Sequence, residues 1–355
     1  MKILIIHPYS FSDYKGGVER YCQNLMKGLA GYKNLNISQI NGYFFKLFEE
    51  PLPKIKIFQI IKNGKPDIIH LQGPRPFATL TGIFGKILGR KVLLSYHAHL
   101  NPKNWLKMVI ADFDRFISKY IFDFLIVTSE NYKEKVKKFF PEKRIKIIPL
   151  LLEDCFFQYQ KTKEECRKEL GINKEKVVLF IGRLDKHHYY KGVDVLIKVA
   201  KLLPEGIKII IVGDGDKRKD YEKMVLDFGV GKRIEFVGEM EQENLMKYYC
   251  ASDIFALPST SDSEGFGFVL LEAMALGLPV ITTNVVGSAK IIKEKKAGLI
   301  IPANNPKALS QTIQNLLGKE SLCQTLKENG KKFAEEFRFQ KNIEKFLEVY
   351  KYLLV

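Results

Sequence analysis

Residues 176–216 read KVVLFIGRLDKHHYYKGVDVLIKVAKLLPEGIKIIIVGDGD. Two runs within it, KVVLFIG (176–182) and IKIIIVG (207–213), are apolar and β-branched, without the alternation of a strand that has one wet face. Between them GVDVLIKVAKLL (192–203) carries apolar residues at helical spacing. Strand, helix and strand in this order, with both strands buried on two faces, predict a parallel βαβ unit inside a sheet covered by helices.

The same alternation extends outward in both directions. Further strands are expected in the second half at RIEFVG (233–238), DIFALPS (253–259), PVITT (279–283) and AGLIIP (297–302). In the first half they are expected at KILIIH (2–7), DIIHL (67–71), KVLLSYH (91–97), DFLIVTS (123–129) and RIKIIP (144–149). The pattern pauses over 150–172 and restarts, and residues 320–354 are helical in pattern with no further strand. The expectation is an α/β chain of two Rossmann-like, doubly wound parallel-sheet domains facing across a cleft. Their spans are 1–165 and 166–337, with a last helix at 338–355.

Composition agrees with two soluble domains. The chain has 355 residues, 46% hydrophobic and 27% charged, and no run approaches the ~20 apolar residues of a membrane span. KILIIHPYS at the start is too short, and too soon followed by charge, for a signal peptide. Five cysteines without C-x-x-C spacing argue against a disulfide framework and a zinc site, and point to a reducing cytoplasm. The net charge of +17 is uneven: residues 1–150 hold 25 Lys/Arg against 11 Asp/Glu, a net +14. Such asymmetry points to an acidic partner for the first half, or to a Lys-rich proteome in which basic surface means little.

Three stretches carry residues suited to chemistry. In HPYSFSDYKGGVERYCQNLMKGLA, Gly16 and Gly17 precede a helix, where free N–H groups favour an anion; a plain turn is the bland alternative. Arg183 follows the strand at 176–182, and Lys191-Gly192 open the next helix. A guanidinium fork and a mobile ammonium at one strand end suit a diphosphate. Adjacent His187 and His188 would face different ways on a regular element and are not read as metal ligands. In DSEGFGFVLLEAMALGLP (262–279), Glu264 stands in a polar loop before a helix N-terminus and Glu272 within the helix. One such carboxylate is commonly a cap; two, with glycines exposing backbone N–H groups, suit the vicinal hydroxyls of sugars.

Together these segments resemble the family 4 glycosyltransferases (glycosyl transferases group 1), retaining enzymes of the GT-B fold that use nucleotide sugars. SDSEGFGFVLLEAMALGLPVI is similar to their E-x7-E segment and GRLDKHHYYKGVDVLIKVA to their Arg/Lys diphosphate clamp. IIIVGDGD, EFVGEM, KGGVERYCQNLMKGLA and LLSYHAH follow the family pattern in order across nearly the whole chain. The resemblance implies that Glu264 contacts the donor sugar, with Phe266, Gly267, Phe268 and Val269 offering backbone groups to sugar and phosphates. Glu272 would hold the ribose, Arg183 and Lys191 the diphosphate, and Glu239 and Met240 the base. Gly16 and Gly17 would approach the diphosphate from the first domain when the cleft closes, and His97, with His99 as rival, would lie near the sugar. It also implies no metal and no cofactor beyond the nucleotide sugar. Transfer would be same-face, with the leaving phosphate taking the acceptor's proton, and the last helix would cross back onto the first domain. Two departures stand out. Pro149-Leu150-Leu151-Leu152 replaces a common Pro-Asn-Gly turn, and Phe339 stands where Trp is common.

The expected activity is transfer of a hexose from a UDP- or GDP-sugar to a saccharide or lipid-linked acceptor. The alternatives are a nucleotide-sugar 2-epimerase of the same fold and, from a different class, a basic nucleic-acid-binding protein. The chain lacks the helix-turn-helix or basic aromatic strands that the latter needs. Acceptor recognition would fall to the basic first domain. There Trp105, Leu106, Lys107, Met108, Phe113, Arg115, Phe116 and Lys119 form a basic-aromatic helical pattern. Such a helix suits peripheral contact with an anionic membrane at the inner face of the cell membrane. Asp112 and Asp114 interrupt it, and the competing reading packs its apolar face on the sheet.

Overall fold

The computed structural model describes residues 1–7, 17–41, 44–47, 50–73, 75–96 and 105–355, with 17, 41, 44–47, 50–53, 75–76, 105–111 and 131 as backbone only. The chain forms two compact units, Met1–Leu151 with Phe337–Val355, and Leu152–Glu336.

The first unit runs β1 (Lys2–His7), α1 (Gly17–Ala30), β2 (Asn36–Asn41), a hairpin of β3 (Phe44–Leu47) and β4 (Glu50–Pro53), and α2 (Ile55–Gly64). It continues with β5 (Ile68–Gln72), α3 (Arg75–Ile87), β6 (Lys91–Tyr96), α4 (Trp105–Ile121), β7 (Phe124–Val127), α5 (Glu130–Val136) and β8 (Ile145–Ile147). Among the described residues its main sheet is parallel, in the order β2-β1-β5-β6-β7-β8. β1, β5, β6 and β7 are buried almost throughout, as their largely apolar sequence requires, with the polar His70, Gln72 and Ser95 buried among them. β2, NISQIN, is the strand that apolar patterning does not announce. It lies at the sheet edge, paired only with β1, so polar residues cost little there.

In the second unit α6 (Lys163–Glu169) precedes β9 (Lys176–Ile181), α7 (Val193–Ala200), β10 (Ile207–Val212), α8 (Arg218–Asp227) and β11 (Ile234–Gly238). Then come α9 (Gln242–Ala251), β12 (Ile254–Leu257), α10 (Phe268–Ala275), β13 (Val280–Thr283), α11 (Ala289–Glu294), β14 (Leu299–Ile301), α12 (Pro306–Gly318) and α13 (Glu320–Ala334). The sheet is again parallel, in the order β11-β10-β9-β12-β13-β14. The opening stretch is therefore β9-α7-β10, and the strand order reverses between β9 and β12. In open α/β sheets that reversal leaves a crevice beyond the carboxyl ends of the two strands.

The division falls at Leu151, earlier than the expected 165, because α6 belongs to the second unit. Its Arg167 donates to the Ala251 carbonyl at 2.9 Å and to Asp253 at 2.7 Å, and its Lys163 reaches Asp253 at 2.7 Å. Asp253 also accepts from the Val177 amide at 2.7 Å. One half-buried carboxylate thus ties α6 to β9 and to the turn before β12.

α14 (Phe339–Leu354) follows the second unit in sequence but is part of the first. Ile343, Phe346, Val349, Tyr350 and Leu353 bury its apolar stripe. It meets α1 where Gly28 leaves room: a Cβ there would come within 2.4 Å of Phe339 and 2.6 Å of Ile343. A buried polar chain fixes its far end. Tyr350 Oη lies 2.7 Å from His70 Nδ1, and His70 Nε2 lies 2.8 Å from Ser95 Oγ. At the start of the departure from the Pro-Asn-Gly turn, Leu150, Leu151 and Leu152 are all buried, and Asn24 Nδ2 donates to the Leu151 carbonyl at 2.7 Å.

Candidate active site

Two loops meet where the second sheet reverses its order, one after β9 and one after β12. Gly192 has φ +80°, and a Cβ there would stand 2.1 Å from the Pro258 carbonyl, so only glycine lets the loops approach this closely. The Thr260 amide donates to the Tyr190 carbonyl at 2.7 Å beside it. Across the same seam Lys191 Nζ lies 2.6 Å from Glu264 Oε2, with side chains only 13% and 11% exposed. Sequence reasoning assigned these two residues to different stretches; folding joins them in one ion pair.

Asp185 organises the β9 loop. Its Oδ1 accepts from the His187 amide at 2.9 Å, the His188 amide at 3.1 Å and His188 Nδ1 at 2.8 Å, while Oδ2 lies 2.7 Å from Arg183 Nε. Burial pushes the Asp185 carboxyl up, but the bonds from His188 and His187 and the Arg183 charge outweigh it and hold its pKa below the ordinary value. Burial lowers the His188 pKa, against the pull of Asp185 and with the help of the Arg183 and Lys191 charges. The imidazole is then neutral at pH 7. Its Nδ1–H donates to Asp185, and Nε2 is left as an acceptor. Burial, then the Glu264 and Asp185 charges, push the Tyr190 phenol up, so it stays protonated.

The Glu264 loop rests on the turn after β13. The Gly287 amide donates to the Glu264 carbonyl at 3.1 Å, and Ser288 Oγ donates to the Phe266 carbonyl at 2.6 Å. Gly267, at φ +78°, caps α10, and the helix closes in a Schellman motif. Leu278 N bonds the Ala273 carbonyl at 2.8 Å and Gly277 N the Met274 carbonyl at 2.9 Å. Phe266, Phe268 and Val269 are half-buried at this helix entrance. Glu272, by contrast, is fully buried, and its Oε2 accepts from Tyr249 Oη at 2.8 Å. Tyr249 comes from α9, so the carboxylate is held between two helices. Glu239, exposed, and Met240, half-buried, follow β11 directly.

The remaining expected residues belong to the first unit. Gly17 opens α1, whereas Gly16, His97 and His99 lie outside the described residues. At the corresponding strand reversal, between β1 and β5, His7 Nε2 lies 3.8 Å from Glu19 Oε1, and both are buried.

The sequence does not single out Asp185 or Tyr249, and His188 is named there only to be set aside as a metal ligand. Asp185 stands two residues from Arg183 in a loop, a spacing that could have flagged it. The Tyr249–Glu272 contact joins separate elements and leaves no local signal. None of the five cysteines, all among the described residues, is in a disulfide. Among the described residues no cluster of three or more His, Cys, Asp or Glu is placed to hold a metal ion, and no helix is long and apolar enough to cross a membrane.

Comparison with known proteins follows this division. Residues 37–151 match the family model described as Glycosyltransferase Family 4, and residues 162–333 that described as Glycosyl transferases group 1. An uncharacterised glycosyltransferase of Methanocaldococcus jannaschii is 32% identical, over 65% of this chain and 60% of its own length. The O-antigen chain mannosyltransferase C of Escherichia coli is 25% identical, over 100% of this chain and 99% of its own. Among solved structures, HepE of Anabaena in complex with UDP superposes with a TM-score of 0.82 at 18% identity, covering 99% of this chain and 100% of that one. HepE has also been solved in complex with UDP-glucose. Both halves of the chain, each a doubly wound parallel sheet, thus carry the same assignment: the chain belongs to the group 1, family 4 glycosyltransferases of GT-B fold.

Proposed function

We propose that this glycosyltransferase moves a hexose from a UDP- or GDP-sugar to a saccharide or lipid-linked acceptor, with retention at the anomeric carbon and without a metal. The observation that carries the reading is the Lys191–Glu264 pair at 2.6 Å, with Arg183 on Asp185 beside it. Two cations and two carboxylates converge at the strand reversal, the place where this sheet type takes ligands.

When donor binds, its diphosphate competes with Glu264 for Lys191, and Arg183, aimed by Asp185, grips a second oxygen. Glu264 is released to the sugar hydroxyls. As the bond between the anomeric carbon and the diphosphate breaks, the charge growing on the leaving oxygen falls to Lys191 and Arg183, a type of stabilisation worth about 3–4 kcal/mol per group. The acceptor hydroxyl attacks on the same face and passes its proton to that oxygen. The base is given to Glu239 and Met240, the ribose to Glu272, and phosphate and sugar contacts to the backbone of Phe266, Gly267, Phe268 and Val269. Because Glu272 is buried against Tyr249, the ribose role requires α9 and α10 to part slightly at that point. A likeness to HepE supports a nucleotide-sugar donor, and the mannosyltransferase relative supports a hexose.

Thermal-shift titration with UDP- and GDP-hexoses, followed by product NMR with a lipid-linked and a free saccharide, tests the reading. A stabilising donor and an α-linked product from an α-linked donor are expected. Inversion of configuration, or dependence on a divalent ion, would overturn the corresponding part.

A further inference from the structure

His188 is built into the loop after β9 and has no task in the chemistry above. It stands between Arg183 and Lys191 in sequence and shares a carboxylate with the first of them. His188 Nδ1–H donates to Asp185 Oδ1 at 2.8 Å, and Asp185 Oδ2 lies 2.7 Å from Arg183 Nε. The group that aims Arg183 therefore aims the imidazole as well. The ring lies at a tilt beside Tyr190, with centroids 5.8 Å apart, and only 24% of the side chain is exposed. Its far nitrogen, Nε2, bonds to no protein group among the described residues. The neighbouring His187 differs, since its side chain is exposed and only its amide meets Asp185.

The charges near this ring balance in the free protein. Arg183 and Lys191 are positive, and Asp185 and Glu264 are negative. Tyr190, and Tyr221 of α8, stay protonated, and on the turn after β10 Asp216 accepts from the Lys186 amide at 2.9 Å. Burial keeps the ring neutral against the pull of Asp185, with the Arg183 and Lys191 charges adding to the effect. A nucleotide diphosphate sugar entering the loop brings negative charge to Arg183 and Lys191. It cancels the two cations that repel a proton from His188, while the carboxylate that attracts one stays in place. Binding of such a ligand is then linked to proton uptake.

We propose that His188 is the third cation of the donor site: it takes a proton from solvent at Nε2 when the diphosphate binds and donates from that nitrogen to a phosphate oxygen. Nδ1–H stays on Asp185, so one imidazolium bridges the protein carboxylate and the ligand phosphate. As the sugar departs and the diphosphate gains charge, His188 shares that charge with Lys191 and Arg183. This role rests on the donor reading above and adds to it a residue and a pH dependence. The affinity that the imidazolium contributes is complete below the pKa of the free protein and is lost as pH rises through the higher value of the complex.

The test is titration calorimetry of the full chain with UDP-glucose and with GDP-mannose, neither of which has a phosphate that titrates near neutral pH. Repeated at about pH 7 in buffers of different ionisation enthalpy, it counts the protons taken up per donor bound. Wild type is expected to take up more than about half a proton, and to bind about tenfold more weakly at about pH 8 than at about pH 6. His188→Asn keeps an amide donor for Asp185 and removes the titrating nitrogen. Its proton uptake should fall close to zero, and its affinity should change less than about twofold over the same range. Imidazole nitrogen NMR reads the event without any variant: one of the six histidines should become imidazolium when donor is added. Donor binding without proton uptake, uptake undiminished in His188→Asn, or no histidine gaining a proton would overturn the role of His188 and leave the donor site standing. Binding of neither nucleotide sugar would overturn the donor reading, and this role with it.

Discussion

Replacing Lys191 by Met and Glu264 by Gln, singly and together, separates the energetic role of their pair from its chemical one. At 2.6 Å, and at an effective dielectric of about 20, the attraction between the two charges is roughly 6 kcal/mol. Desolvation of two nearly buried ions takes back most of it, so the pair is close to neutral in net terms. Removing one partner is different, because the other charge stays buried without compensation. Each single variant is expected to lose about 3 kcal/mol, on the order of 6–12 °C in Tm for a domain of this size. The double variant, which buries neither charge, should recover most of the summed loss. Activity should behave otherwise. Glu264→Gln removes a contact to the reacting sugar and Lys191→Met a counter-charge, each costing on the order of 10²-fold in kcat, and the double variant stays inactive. Denaturant titration gives the stabilities and a coupled UDP- or GDP-release assay the rates. Stability losses that simply add would refute the coupling. A Glu264→Gln enzyme at wild-type rate would refute the placing of Glu264 at the sugar.

Gly192→Ala meets both a left-handed backbone and the Pro258 carbonyl, and should cost about 3 kcal/mol or more by chemical denaturation, with loss of donor binding as the two loops separate. Tyr249→Phe removes the hydroxyl on Glu272; steady-state kinetics should show the donor KM raised about tenfold with kcat little changed, and the melt should fall because a buried carboxylate loses a donor. For Asp253, burial pushes the carboxyl up, but Lys163, the Val177 amide and Arg167 outweigh it and hold its pKa below the ordinary value. Its stabilisation is therefore complete above the unfolded value of about 3.9 and lost as pH falls through the lower folded value. The stability gap between wild type and Asp253→Asn should be full at neutral pH and close progressively below about pH 4 in denaturant titrations.

The parallel sheets were readable because their strands are buried on two faces, which forces unbroken runs such as KVVLFI and IKIIIV. β2 was not readable, since an edge strand with one neighbour tolerates Asn, Ser and Gln. Glu264, Lys191 and Arg183 announced themselves as charges placed beside strand ends and glycines. Their pairing did not, because Lys191 and Glu264 are 73 residues apart and meet only through the reversal in strand order. Asp114 was misleading for a related reason. In sequence it interrupts a basic face, yet Thr79 of another helix turns it inward and leaves the rings of Phe113 and Phe116 outside.

The path of the chain through α14 bears on how the molecule is made. Residues 152–336 are contiguous and hold a complete sheet and its helices, so they have all they need as soon as they leave the ribosome. The first unit does not: the partners of His70 and Gly28 on α14 lie beyond the whole second unit. During synthesis, the half made first waits with the α1 groove open while the half made second folds. Chaperone contact in that interval should centre on α1 and β5, and it should end when Phe339–Leu354 emerges and closes the groove.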